Sequence, residues 1–346
     1  MQNLNDLSQI KKLDPQDTYD STSLLPQQCK AAWEEVKKIK VPNISSIENI
    51  VCCGMGASIY GALVTQALIG ENLDYPFQNI SDYHLPKYVD EKTLVILTSY
   101  SGNTEEVLSC AQEAKQKRAK MLVLTKGGKL ADFAKENNIP AYVFNGKLNP
   151  SGVPRLGNGY SVIGLIGLLN KSGIIKVDED AFSKAFTKST QIGRDLQGKA
   201  RENSKLFVNK IPIIFAAEHL SGNAQILRNQ FNETSKTFSA FYLVPDLNHH
   251  LLEGLQFPTQ SNLLFLSIDS DNYSDKIKKR MLLTKDVTSK NNRGIMEHRT
   301  SGYNKYEDIL EVMIYGSWLT FYLGILYDQN PAENPWVDYF KEELGK

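Results

Sequence analysis

The sequence has 346 residues, more than one small domain needs and comfortable for two. Lysine plus arginine and aspartate plus glutamate number 39 each, so the formal net charge is zero and gives no support to a nucleic-acid partner or an acidic membrane surface. Hydrophobic residues make up 41% and charged residues 23%, the balance of a soluble globular protein.

Residues 1–19 are polar and mixed in charge, without the apolar centre of a signal peptide. The longest apolar stretches, around 163–169 and 318–327, are too short to span a bilayer, so no membrane partner and a cytoplasmic location are expected. The cysteines are Cys29, Cys52, Cys53 and Cys110; none has CxxC spacing, and buried free thiols are expected.

Residues 1–47 read as an arm and a helix, with Pro26 opening an apolar-periodic run over 31–39. The run 47–53 is a short β-rich strand that ends in Gly54-Met55-Gly56-Ala57-Ser58, and a helix follows over 59–69. The next strand, 93–98, ends in Ser99-Tyr100-Ser101-Gly102-Asn103-Thr104. A helix over 105–118, a strand over 120–125, Gly127-Gly128, a further helix and a strand over 141–144 complete the first unit. Strands alternating with amphipathic helices predict a parallel sheet with helices on both faces. After Gly152 the pattern weakens and restarts: an apolar helix over 160–171, a polar helical stretch to about 208, strands over 211–217, 239–244 and 263–268, and a long apolar helix over 309–327. The polar stretch 269–299 is compatible with a mobile loop or with a solvated helix and loop. The expected division is an arm at 1–47, an α/β domain at 48–175 and a second at 176–346.

At Ser99–Thr104 three hydroxyls, a glycine and the free N–H groups of a helix start converge, which suits an anion. The competing reading is a simple helix cap, with Ser101, Thr104 and Glu105 supplying a capping box. The Gly54–Ser58 turn fails the dinucleotide pattern, because Ile59 stands where the third glycine belongs and no acidic residue ends a second strand. No GKS or GKT follows for a Walker loop. Neither a nicotinamide cofactor nor any other cofactor is expected.

The two turns, GMGAS at 54–58 and SYSGNTEE at 99–106, resemble the SIS (sugar isomerase) domain. Further segments follow the order of one subfamily, the bifunctional phosphoglucose/phosphomannose isomerases: LDPQDTYDS at 13–21, VPRLGNGYSVIG at 153–164, NQFNETSK at 229–236, DLNHHLLEG at 246–254 and ENPWVDYFKEEL at 333–344. The resemblance implies two SIS domains, each a flavodoxin-like parallel sheet in an α/β/α sandwich. It also implies a homodimer with its active site between domains and subunits. Gly56, Ala57, Ser58, Ser99, Ser101 and Thr104 fall on phosphate-binding positions, and Lys341 on a substrate-contacting lysine. Arg155 falls on the family's PR segment, Glu233 on the base and His249 on the ring-opening histidine. The chain departs from the family at Ala57, which replaces a glycine, and at Ser317, where aspartate is usual. His250 stands where asparagine is more common, which leaves ring opening between His249 and His250.

Aldose–ketose isomerisation needs an opened ring, a base between C1 and C2, a stabiliser for the enediolate and an anchored phosphate. A partly buried carboxylate, a fixed guanidinium and an imidazole suit these tasks. Against them stand plainer readings: a solvated Glu233, a surface Arg155, a solvated Lys341, and His219 and His298 as structural or surface residues. The His249–His250 pair lacks an evident third ligand, so no metal is expected. The activity expected is isomerisation of glucose 6-phosphate, with mannose 6-phosphate as a possible second substrate, to fructose 6-phosphate. The alternatives are isomerisation of another sugar phosphate or a non-catalytic sugar-phosphate sensor.

Overall fold

The computed structural model describes residues 3–345. The arm is three helices, Leu7–Leu13, Thr18–Ser23 and Leu25–Lys37, rather than one. Beyond it, the first sheet holds β1 (Asn49–Cys53), β2 (Phe77–Ile80), β3 (Thr93–Ser99), β4 (Lys120–Thr125) and β5 (Ala141–Val143) in the order β2-β1-β3-β4-β5. The second holds β6 (Ile211–Ala217), β7 (Ala240–Val244), β8 (Leu263–Asp269) and β9 (Gly294–Arg299) in the order β7-β6-β8-β9. Every strand pair is parallel. The chain is thus an α/β protein of two flavodoxin-like units. Helices cover both faces, which is why the central strand TLVILTS is a continuous buried run instead of an alternating one.

In this strand order the chain reverses direction between β1 and β3, and the carboxyl ends of those strands flank a crevice. The turns after β1 and β3 are the two sequence motifs, so the topology delivers both to one place. All four cysteines are buried, and burial pushes the Cys52 thiol up to about 12.

Two strands escaped the sequence reading, β2 and β9. The stretch 269–299 resolves into the end of β8, a solvated helix Asp275–Lys290 and β9. The apolar helix near the C-terminus also proves longer than expected. It begins at Lys305, where the Asn304 side chain accepts hydrogen bonds from the Tyr306 and Glu307 N–H groups, and runs 22 residues to Leu326. That is long and apolar enough to cross a bilayer, yet its apolar stretch is wholly buried inside the protein, against helix Glu179–Ser204. Its first turns carry Glu307, Asp308 and Glu311, each buried with partners inside the second unit.

Candidate active site

The loop after β3 is built by its own hydroxyls. Gly102 N–H donates to Ser99 Oγ at 3.0 Å, Asn103 N–H to Ser101 Oγ at 3.2 Å, and Ser99 Oγ pairs with Thr104 Oγ1 at 2.8 Å. Gly102 has φ +74°, and a Cβ there would lie 1.7 Å from the Gly127 carbonyl oxygen, so the loop requires glycine at this place. Thr104 precedes the helix Glu105–Gln116 but its side chain makes no cap to it. The capping-box reading therefore fails: the hydroxyl that would close the helix start is turned to Ser99, and the first-turn N–H groups stay open to an anion.

The turn after β1, Gly56–Ile59, lies against this loop, with Tyr100 N–H donating to Ser58 Oγ at 3.0 Å. Gly56 is exposed with φ +52° and nothing within 4 Å of where its Cβ would be. Ala57 is half-buried and packs its methyl on the core. The same turn packs against Pro154–Leu156, the short turn that carries Arg155.

Arg155 is only 2% exposed. Its Nε donates to Thr234 Oγ1 at 3.0 Å, and its Nη2 donates to the Pro331 and Ala332 carbonyls. With those donors committed, Nη1 is the edge left over, and it faces Glu233 Oε2 at 3.5 Å. Turning the Asn334 amide over lets its oxygen accept from the same Nη1 at 2.9 Å. Burial pulls the Arg155 pKa down, while the Glu233 charge pushes it back up, so the pair supports a charged guanidinium in a nearly dry place. Glu233 ends the helix Ser221–Glu233 and keeps 31% of its side chain exposed, so a substrate has access to it.

Three neighbours went unnoticed in the sequence. Lys236 donates to the Glu233 and Asn330 carbonyls, both at 2.8 Å, and burial, then the Arg155 charge, brings its pKa down to about 8. Tyr60, directly after the Gly56–Ile59 turn, is fully buried; burial and then the Glu233 charge push its pKa up. Asn334 lies at the foot of the last helix. The NETSK string held the signal for Lys236; a tyrosine at the head of an apolar helix reads as core, so nothing pointed to Tyr60.

The structure does not bring every candidate together. His249 and His250 are both exposed, on the turn Asp246–His249 and the residue after it. Among the described residues neither has a hydrogen bond or ion pair with Arg155 or Glu233; His250 Nε2 lies 3.4 Å from Asp246 Oδ2. Lys341 is exposed on the helix Pro335–Leu344, about two turns beyond Asn334 on the same side. Among the described residues no group of three histidine, cysteine, aspartate or glutamate side chains is placed to hold a metal ion. His219 and His298 are structural: His219 pairs with Asp308 at 2.9 Å with both side chains fully buried, and His298 stacks on Tyr315 at 3.8 Å.

Among the described residues, the corresponding helix start in the second sheet is already occupied. There Glu218, at φ +43°, accepts from Ser274 N–H at 3.0 Å and Ser274 Oγ at 2.6 Å, so a carboxylate already occupies the start of helix Asp275–Lys290.

Among known proteins, the SIS domain profile matches residues 43–141, and that of the bacterial phospho-glucose isomerase C-terminal SIS domain matches residues 196–344. A bifunctional phosphoglucose/phosphomannose isomerase of Caldicellulosiruptor bescii is 30% identical over 344 residues, 95% of this chain and 99% of that one. One of Aquifex aeolicus is 28% identical over 317 residues, 91% and 94% of the two chains. A crystal structure of a hypothetical protein from Thermus thermophilus superimposes with TM-score 0.73 at 18% identity, over 95% of this chain and 90% of that one, a likeness of fold.

Proposed function

Because the chain belongs to the bifunctional phosphoglucose/phosphomannose isomerase family, we propose that it interconverts glucose 6-phosphate and fructose 6-phosphate, and takes mannose 6-phosphate to the same ketose. The observation that carries this reading is a buried Arg155 with all but one edge committed to the protein, and that edge turned to a solvent-accessible Glu233. The two groups match the chemistry: a carboxylate to move a proton between C1 and C2, and a fixed cation beside the oxygen that becomes negative. The phosphate is assigned to Ser58, Ser99, Ser101 and Thr104 with the open helix start, and Gly56 and Ala57 form the floor of that turn.

Ring opening falls to His249 in this reading, and that histidine comes from a second copy of the chain. Support comes from its exposure and lack of a hydrogen bond or ion pair with Glu233 among the described residues, and from the last helix, which presents Trp336 at 82% exposure beside Tyr339, Phe340 and Leu344. An apolar face of that kind is what a homodimer interface covers. Lys341 on the same helix is assigned to the substrate. The boundary between the halves is placed near residue 175, and the protein in the cytoplasm. A coupled assay of the pure protein with glucose 6-phosphate and mannose 6-phosphate tests the function; no turnover of either, with the phosphate still bound, would leave a sugar-phosphate sensor.

A further inference from the structure

Away from Arg155 and Glu233, a cavity of about 170 Å³ opens between the N-terminal arm and helix Glu179–Ser204, lined by Leu7, Tyr19, Arg194, Gln197, Arg201 and Tyr322 among others. Among the described residues no carboxylate lines it. Arg194, Gln197 and Arg201 recur at helical spacing and share one face of their helix. Arg194 has no hydrogen-bond or ion-pair partner among the described residues. Arg201 has one acidic neighbour, Glu202, at 3.8 Å, and its buried Nε has no hydrogen-bond partner. Gln197 Nε2 donates to both Tyr19 Oη and Tyr322 Oη at 2.9 Å, so the phenols serve as acceptors and neither donates its own proton within the described residues.

Buried donors are normally paired, so the buried Arg201 Nε calls for an acceptor, and the exposed Arg194 guanidinium adds a second positive charge on the same face. Two guanidinium groups and two free phenolic protons, opposed only by Glu202 beside Arg201, make a receptor for a compact dianion. The volume equals that of about five or six waters, room for a phosphoryl group but below that of sites that enclose a whole metabolite.

We propose that this cavity is a second anion site of the chain, taking a phosphoryl dianion, and that its occupant braces the arm. The arm in turn supports the Arg155 segment: Tyr19 packs edge-on against Trp318 at 5.0 Å, Ser21 Oγ donates to Ser151 Oγ at 2.9 Å, and Gln28 Nε2 donates to the Leu156 carbonyl at 3.0 Å. An anion held by Tyr19 and Arg201 thus ties helix Thr18–Ser23 down on the loop that mounts Arg155.

The test is thermal unfolding of the full chain in inorganic phosphate and in glucose 6-phosphate, each against chloride at equal ionic strength. It is run in an S101A/T104A background, which weakens the loop after β3, with and without R194A/R201A. The arginine substitutions are expected to lower the apparent affinity for phosphoryl dianion at least about tenfold, the loss of a charge-assisted contact. A response to inorganic phosphate alone identifies the free ion as occupant; one to glucose 6-phosphate as well identifies the phosphoryl end of a metabolite. R194A alone, at an exposed position, keeps the test open if R201A disturbs folding. Equal stabilisation with and without the arginine substitutions, or none beyond chloride, overturns the proposal. The readout is the difference the arginines make, so it stands whether or not the Ser101–Thr104 loop is the substrate's phosphate site.

Discussion

At the residue scale one pair carries the proposed chemistry. Arg155 is held by Thr234 and by two carbonyls, so it cannot swing away from Glu233, while Glu233 at a helix end remains accessible. Glutamine keeps the shape of that carboxylate and loses its basicity. Glu233→Gln should still bind fructose 6-phosphate, yet lose isomerisation and C1–H exchange by at least about 10²-fold, the lower end of general-base catalysis. Near-wild-type turnover would move the base elsewhere. Lys236 carries a second prediction. Its folded pKa, about 8, lies below its unfolded value of about 10.4, so between those limits the unfolded chain binds more protons and stability rises with pH. Denaturation from pH 8 to 10 should show wild type gaining stability relative to Lys236→Met. Parallel curves would contradict a depressed lysine. The sequence alone made Glu233 a candidate through the NETSK string and Arg155 a fixed guanidinium against a plain surface arginine; it could not show that Arg155 is buried, because Pro331 and Ala332, which close over it, are distant in sequence.

At the scale of elements, most strands were legible, the edge strands β5 and β7 among them, but β2 and β9 were not. β1, β3, β4, β6 and β8 are apolar runs because helices cover both faces, and their ends could be read to within a residue or two. β2 and β9 are edge strands. β2 is four residues long, and β9 carries Glu297 and Arg299 on a half-exposed margin, so neither shows the apolar run that marks a buried strand. The choice at Thr104 between anion site and helix cap needed the structure: Thr104 stands where a cap belongs, but its hydroxyl pairs with Ser99 and leaves the helix start open. This yields the third prediction. Ser101→Ala and Thr104→Ala should raise KM for hexose 6-phosphates about tenfold with little change in kcat, since the phosphate is held alike in ground and transition states. A fall in kcat at constant KM would count against the loop as a phosphate anchor.

At the scale of the whole molecule, two units of like topology have unlike crevices. In the first unit the start of helix Glu105–Gln116 has no side-chain cap; in the second, Glu218 accepts from Ser274 at the start of helix Asp275–Lys290. The duplication was legible as two rounds of strand–helix alternation, but this asymmetry was not, since it depends on where Glu218 points. The resemblance had implied a site between subunits, and within one chain His249 has no hydrogen bond or ion pair with Glu233 among the described residues, so that in the proposed mechanism the histidine of a second copy completes the site. Subunit complementation tests that claim most directly. Glu233→Gln and His249→Ala chains, each expected to be nearly inactive alone, are mixed, dissociated and reassembled. Half of the random dimers are mixed and carry one intact site of two, so about a quarter of wild-type isomerase activity per chain is expected to return. Activity that stays at the level of the separate variants would contradict a site shared between subunits.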